Sequence, residues 1–272
     1  MSGFRVALLA CLLAFAAFGG WAPSPARAMS EGSALREVGL LPLSSYRSRP
    51  LVRVPFESPS ELRGWYETPQ TPLTHHVLSG ERVYRGRKAL KAWVTGANSG
   101  NVEPDGPNHR GYPTIQLFKR PRGCRTPCLI SLWVWSSIPL ARGQWSSIAT
   151  VTASTGTTWI GQLVNVGLEG WLHTMHAPVP GQAEWILQRK DLPFPSRRWV
   201  HLRILVRYRA SGGGIAVWQD KRLMSVAPID GNLDRNGLGL LNQAHFGLYT
   251  PPTIASGVIY NDDLVISELR SR

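Results

Sequence analysis

Residues Val200 to Arg209 alternate without a break. Val200, Leu202, Ile204, Val206 and Tyr208 fall on one side, and His201, Arg203, Leu205, Arg207 and Arg209 on the other. A spacing of two puts side chains on opposite faces of an extended strand, whereas a helix would scatter them. The stretch therefore predicts a strand with an apolar buried face and a basic opposite face. Ser211-Gly212-Gly213-Gly214 then supplies a flexible turn. Ile215 to Gln219 starts a second strand, and Asp220-Lys221 reads as its tight-turn end. Further on, His245-Phe246-Gly247-Leu248-Tyr249 reads as a short strand with polar or aromatic groups on one side. A basic antiparallel sheet that also carries aromatic rings suits an acidic polymer.

The rest of the chain repeats this pattern. Leu51–Phe56, Thr74–Val77, Ala89–Val94, Thr114–Lys119, Leu129–Ser136, Trp145–Thr152, Trp159–Val166, Gly170–Met175, Ala183–Gln188 and Gly257–Leu269 all read as strands. Turn signals separate them, Gly96–Tyr112 forms a long loop, and no long amphipathic helix is visible. The 21 prolines and 27 glycines, against only 17% charged residues, fit a many-turned β protein better than a helical one. The expected fold is an all-β antiparallel sandwich over residues 51–272, after an extended lead-in over residues 29–50 with a brief helical possibility at Ser33–Val38.

Residues 1–28 read as a secretory signal. Arg5 precedes an apolar run from Val6 to Phe18, and Ala26-Arg27-Ala28 forms the cleavage site. The run falls short of the about 20 residues needed to span a bilayer. A lipid anchor at Cys11 is the weaker alternative, because the apolar run continues past it. No later stretch could cross a membrane, so the protein is expected outside the cytoplasm, secreted or periplasmic. Cleavage removes Arg5 and Arg27 and no acid, so the formal charge falls from +13 to +11. Such a balance points to an anionic partner: an acidic polysaccharide, a polyanionic cell envelope or, least expected, nucleic acid. Cys124 and Cys128 then remain alone, and in an oxidising compartment a disulfide is expected between them.

Several stretches resemble a known superfamily. Phe56-Glu57 with Gly64-Trp65, then Gly86-Arg87-Lys88-Ala89-Leu90, look like the opening of secreted jelly-roll carbohydrate-binding modules. Trp199-Val200-His201-Leu202, followed by Gly214 to Asp220, resembles concanavalin A-like and laminin-G-like sandwiches, and Tyr260 to Ile266 looks like their last strand. The resemblance covers residues 51–269. Within the superfamily, His245-x-Gly247-x-Tyr249 is similar to the Lys-x-Gly-x-Tyr strand of heparin-lyase-I-like and alginate-lyase-like polysaccharide lyases. Here His245 replaces the lysine and Gln243 replaces a tyrosine two positions earlier. The Gln-x-His signature of the alginate lyases is not present as such.

That resemblance implies β-elimination on a uronic acid polymer. Such chemistry needs a donor to neutralise the carboxylate, a base for the C5 proton and an acid for the leaving oxygen. The candidates are Gln116 and Arg203 as donors, His173 as base and Tyr249 as acid. Trp133, Trp135 and Trp218, with Arg207 and His245, are candidates for sugar binding. Trp133 and Trp135 share a face with Ser131. Glycosidase chemistry needs paired carboxylates, and the strands contain few acids. Glu57, Asp262 and Asp263 are candidate ligands for a structural Ca2+, with the capping of backbone amides in a turn as the competing reading. A binding protein without catalysis, or an envelope protein that contacts other proteins, remains the alternative to a lyase.

Overall fold

The alternating stretch is central to one of two antiparallel sheets in a computed structural model of the chain, which describes residues 30–100, 106–120, 123–155, 159–167, 170–179, 182–186 and 191–272. Residues 1–29, with the expected signal sequence and Cys11, lie outside these residues. Strands are numbered in chain order. The first sheet runs β14 (Arg222–Pro228), β13 (Gly214–Gln219), β12 (Val200–Arg207), β7 (Cys128–Ser136), β16 (Gly257–Ser271), β4 (Ala89–Val94) and β3 (Thr74–Ser79). β1 (Tyr46–Val54) also pairs with β16. The second sheet runs β11 (Gln182–Ile186), β10 (Trp171–Val179), β9 (Gly161–Gly167), β8 (Trp145–Thr152), β15 (Gln243–Thr250), β6 (Pro113–Gln116) and β2 (Tyr66–Glu67). β5 (His109–Gly111) pairs with β15 as well.

Period two explains the packing. Val200, Leu202, Ile204 and Val206 are fully buried and face Val151, Val164, Leu172, Phe246 and Leu248 of the other sheet in one shared core. Neighbours such as β12 beside β7 and β15 beside β8 are far apart in sequence. These interleaved connections make the sandwich a jelly roll. Asp220 and Lys221 both take positive φ, 47° and 73°. Two such residues form the turn whose twist suits a hairpin, and β14 follows it as a strand not anticipated from sequence.

The lead-in is not simply extended. Residues Glu31–Glu37 form helix α1, with the Ser30 side chain accepting from the Ser33 amide at its start. The segment lays Leu35, Val38 and Leu40 on the outer face of the first sheet, against Leu205, Ala216 and Trp218. The basic face of β12 is therefore not an open platform. Leu205 and Trp218 are fully buried there. The Trp218 indole donates to Glu31 (3.1 Å), and Arg207 donates to the Gly39 carbonyl. Residues 46–50 of the lead-in belong to β1, and β5 interrupts the long loop. The end of the expected Thr114–Lys119 strand is a tight 3-10 turn over Leu117–Lys119.

The expected disulfide is not formed in this structure. Cys124 and Cys128 are buried thiols with sulfurs 2.6 Å apart. The Cys128 thiol donates to the Arg125 carbonyl, and burial raises it well above the ordinary thiol range.

The candidate Ca2+ ligands are engaged elsewhere. Asp262, fully buried, accepts from the amides of Tyr84 (2.8 Å), Arg85 (3.1 Å) and Asp263 (2.8 Å). Glu57 accepts from the Arg87 amide at 2.8 Å. Asp263 faces Arg85 at 3.6 Å. These hydrogen bonds are those of the competing reading, the capping of backbone amides in a turn. Among the described residues no group of three or more His, Cys, Asp or Glu is placed to hold a metal. Gly86 completes the arrangement at φ 77°, because a Cβ there would lie 1.7 Å from the Glu57 carboxylate oxygen.

Removing the Asp262 carboxylate leaves the part-buried amides of Tyr84, Arg85 and Asp263 without this acceptor. Asp262→Ala is expected to cost about 2–3 kcal/mol, or roughly 5–10 °C of melting temperature in a chain of this size. EDTA is expected to leave the wild-type melting temperature unchanged. A fall on chelation would restore the metal reading.

Candidate functional site

β15 is the spine of the site. Ala244, Phe246 and Leu248 turn into the core, which forces Gln243, His245 and Tyr249 to the outer face of the second sheet. Register extends this parity across neighbouring strands into three rows. The first is Gln243 between Gln116 and Thr152. The second is Tyr66, Thr114, His245, Thr150, Leu163 and Met175. The third is Arg110, Tyr249, Ser147, Asn165 and His173. Most of these side chains line one groove of about 570 Å³, which Trp145, Trp159 and Tyr112 also border.

Gly247 makes the spine possible. It has φ 136°, and a Cβ there would come within 2.5 Å of the Gly111 carbonyl. Only glycine lets β15 and β5 approach this closely beside the register shift between Phe246 and Tyr249. This gives a physical reason for the glycine in the His-x-Gly-x-Tyr spacing.

Tyr249 is held from several directions. The Asn108 amide donates to its phenolic oxygen at 3.0 Å. The Arg110 guanidinium lies 5.4 Å from its ring centre, and Trp145 packs edge-on at 5.2 Å. His245 stacks on Tyr112, with ring centres 3.7 Å apart and planes within 17°. One edge of His245 reaches the groove, while its Nε2 is sealed and has no hydrogen-bond partner among the described residues. Burial first, and Arg110 second, lower its pKa to about 3. The imidazole is therefore neutral at neutral pH. Gln243 donates to the Ser154 carbonyl at 3.0 Å, which fixes its amide.

The sequence candidates divide between the two sheets. Gln116, His245 and Tyr249 meet in the groove. His173 shares their sheet face but does not line the groove. It is buried, its Nε2 lies 3.3 Å from the Asn165 amide nitrogen, and burial lowers its pKa to about 4. Arg203, Arg207, Trp133, Trp135 and Trp218 are not in this groove at all. They occupy the outer face of the first sheet, across the whole core. Arg203 lies over Trp218 at 5.4 Å, and Trp133 is sandwiched between Tyr84 (3.7 Å) and His201 (4.8 Å). Residues not anticipated are Arg110, Tyr112, Asn108 and Thr150. A signal for two of them existed, since Arg110, Tyr112, Thr114 and Gln116 alternate and all line the groove.

No protein-family model matches the sequence, and no curated protein matches it. Solved structures do. An endo-β-1,4-glucuronan lyase from the fungus Trichoderma reesei superposes with a TM-score of 0.56 at 12% identity, covering 76% of this chain and 92% of that one. Cellulose induced protein Cip1 gives 0.55 at 11% identity, over 79% and 96%. Alginate lyase vAL-1 from Chlorella virus gives 0.52 at 10% identity, over 75% and 92%.

His173 and His245, the histidines lowered furthest, predict a pH dependence. Folded, both stay neutral down to about 4 and about 3, whereas unfolded they take up a proton below about 6.5. Between those values the unfolded chain binds more protons, so stability falls as pH drops and is level above that window. Thermal melts are expected to drop steadily from pH 6.5 to 5, and His173→Gln with His245→Gln to flatten the slope. Equal melting temperatures across that range would contradict the buried, neutral assignment.

At these identities the likenesses speak for architecture: the chain is a jelly-roll β-sandwich with the fold of polysaccharide lyases.

Proposed function

We propose that the groove binds an acidic polysaccharide and cleaves it by β-elimination. The observation that carries this reading is the meeting of Tyr249, His245, Gln116 and Arg110 in one groove bordered by aromatic rings. The neighbours described as glucuronan and alginate lyases support it at the level of fold.

The roles follow from the donors and acceptors present. Arg110 is the only charged side chain among the described groove residues. With the Gln116 amide it neutralises a uronate carboxylate, which makes the C5 proton easier to remove. Neutral His245 keeps a lone pair and takes that proton. The C5–H electrons form the C4–C5 double bond, and the C4–O bond breaks. Tyr249 gives its phenolic proton to the leaving oxygen. Asn108 already donates to the Tyr249 oxygen, which leaves the phenol's own O–H free to turn into the groove. Flat rings of Tyr66, Trp145 and Trp159 suit stacking on sugar faces.

The same proposal places the mature protein outside the cytoplasm, beginning at Met29, with Cys124 and Cys128 joined there. Intact mass of protein recovered from the medium tests both points. A mass that retains residues 1–28, or both thiol hydrogens, would rule out the corresponding one.

The test of activity is incubation with polyglucuronate, alginate and heparin while following the absorbance of unsaturated chain ends. Absorbance is expected to rise on at least one polymer, and Tyr249→Phe to lower the rate about 100-fold or more while polymer binding persists. Binding with no absorbance gain on any polymer would assign the groove to carbohydrate binding without cleavage.

A further inference from the structure

Among its described residues the groove carries a single cation, yet the chain has a large excess of them. One concentration lies on the opposite sheet. The β3–β4 loop reads Gly80-Glu81-Arg82-Val83-Tyr84-Arg85-Gly86-Arg87-Lys88 and places four cations within seven residues, all exposed. Its acids are few. Glu81 is engaged by Lys91 and the Tyr260 hydroxyl, and Asp263 faces Arg85 at 3.6 Å.

This loop is held rather than loose. Asp262 accepts from the amides of Tyr84 and Arg85, and Glu57 from the amide of Arg87 and, at 3.5 Å, that of Lys88. Two carboxylates beneath the loop thus fix its backbone, and the cationic side chains stand outward. Tyr84 lies flat on Trp133 with planes 15° apart, and is still 36% exposed. Trp199 packs against its edge at 6.0 Å, and Arg82 lies over Trp135 at 4.2 Å. Like charges fixed this close repel one another, and a polyanion laid across them removes that cost. A flat, partly exposed ring among them offers a stacking surface for a sugar face.

We propose that Arg82, Tyr84, Arg85, Arg87 and Lys88 form a second, non-catalytic binding surface for the same class of acidic polysaccharide. Its ligand class rests on the reading of the groove; its residues do not. Two sites on opposite sheets that engage one polymer gain affinity through effective concentration, provided the polymer is long enough to reach both. A short oligosaccharide cannot do so.

The experiment is gel retardation with polyglucuronate across a salt series. It compares wild type, Tyr249→Phe and a variant with Arg82→Ala, Arg85→Ala, Arg87→Ala and Lys88→Ala. These side chains are exposed, and a melting curve checks the fold. The loop variant is expected to bind the long polymer about tenfold more weakly, with a shallower salt dependence. It should bind a tetrasaccharide as the wild type does. The loop substitutions are repeated on the Tyr249→Phe background, so that cleavage does not shorten the polymer during the run. A double variant, Arg87→Ser with Lys88→Ser, is expected to give an intermediate loss. Unchanged polymer retention in the loop variant overturns the proposal. So does stronger, loop-dependent retention of duplex DNA of matched charge. If no polymer yields unsaturated ends but retention still depends on the loop, the groove reading fails and this one stands.

Discussion

Burial of Ala244, Phe246 and Leu248 between the two sheets is the constraint on which the site depends. Strand parity is binary. Once these three face the core, Gln243, His245 and Tyr249 have no choice but the opposite face. A slip of one residue would bury a histidine and a tyrosine and expose a phenylalanine, at a cost of several kcal/mol from the apolar area alone. The same logic fixes Thr114 and Gln116 against Ile115, and Thr150 and Thr152 against Val151. The site is thus a by-product of core registry on the strands that flank β15, which is why it needs few hydrogen bonds of its own.

The first sheet solves a different problem. Its outer face is also apolar in part, because Leu205, Ala216 and Trp218 sit there. The lead-in covers them with Leu35, Val38 and Leu40. Further along the same face the β3–β4 loop covers Trp133 with Tyr84. The loop in turn depends on Asp262 and Glu57, whose carboxylates satisfy amides that a turn cannot satisfy within itself. One buried acid on β16 therefore has consequences on the surface, since it sets the shape of the most basic segment on that side.

How much of this was legible follows from the same physics. The strands were readable because period two is visible wherever one face is apolar, and the shared face of Trp133, Trp135 and Ser131 was read correctly. Parity does not say which sheet a strand joins. Arg203 and Tyr249 both looked available, yet they lie on opposite sides of the molecule. Arg203 was misread because nothing local announces that residues 31–40 fold back over β12. Arg110 and Tyr112 were missed because β5 has three residues and lies in a stretch rich in Gly, Asn and Pro. The alternation that would have exposed them runs across Pro113, where strand signals are weakest. The turn at Asp220-Lys221 was clear from composition, but the strand after it was not, since Arg222 to Pro228 lacks a clean alternation.

Charge is distributed in a way that bears on how the two faces work. On the proposed reading, a groove whose described residues carry one guanidinium among neutral amides discriminates by placement: a carboxylate must sit beside Arg110 to be met, and aromatic rings must find sugar faces. Such a site gains little from long-range attraction, because a lone charge at a distance beyond about 10 Å is screened at ordinary salt. The exposed cations of the β3–β4 loop have the opposite character. Standing outward into solvent, they would select poorly between sugars, but together they would attract a polyanion from afar. Separating attraction from selection also protects the chemistry. On the proposed reading, a densely basic groove would hold every polyanion and release product slowly, whereas one cation beside Tyr249 and His245 would leave a cleaved chain weakly held. The basic composition of this chain is therefore best understood as a property of its surface, and the specificity of its groove as a property of strand parity.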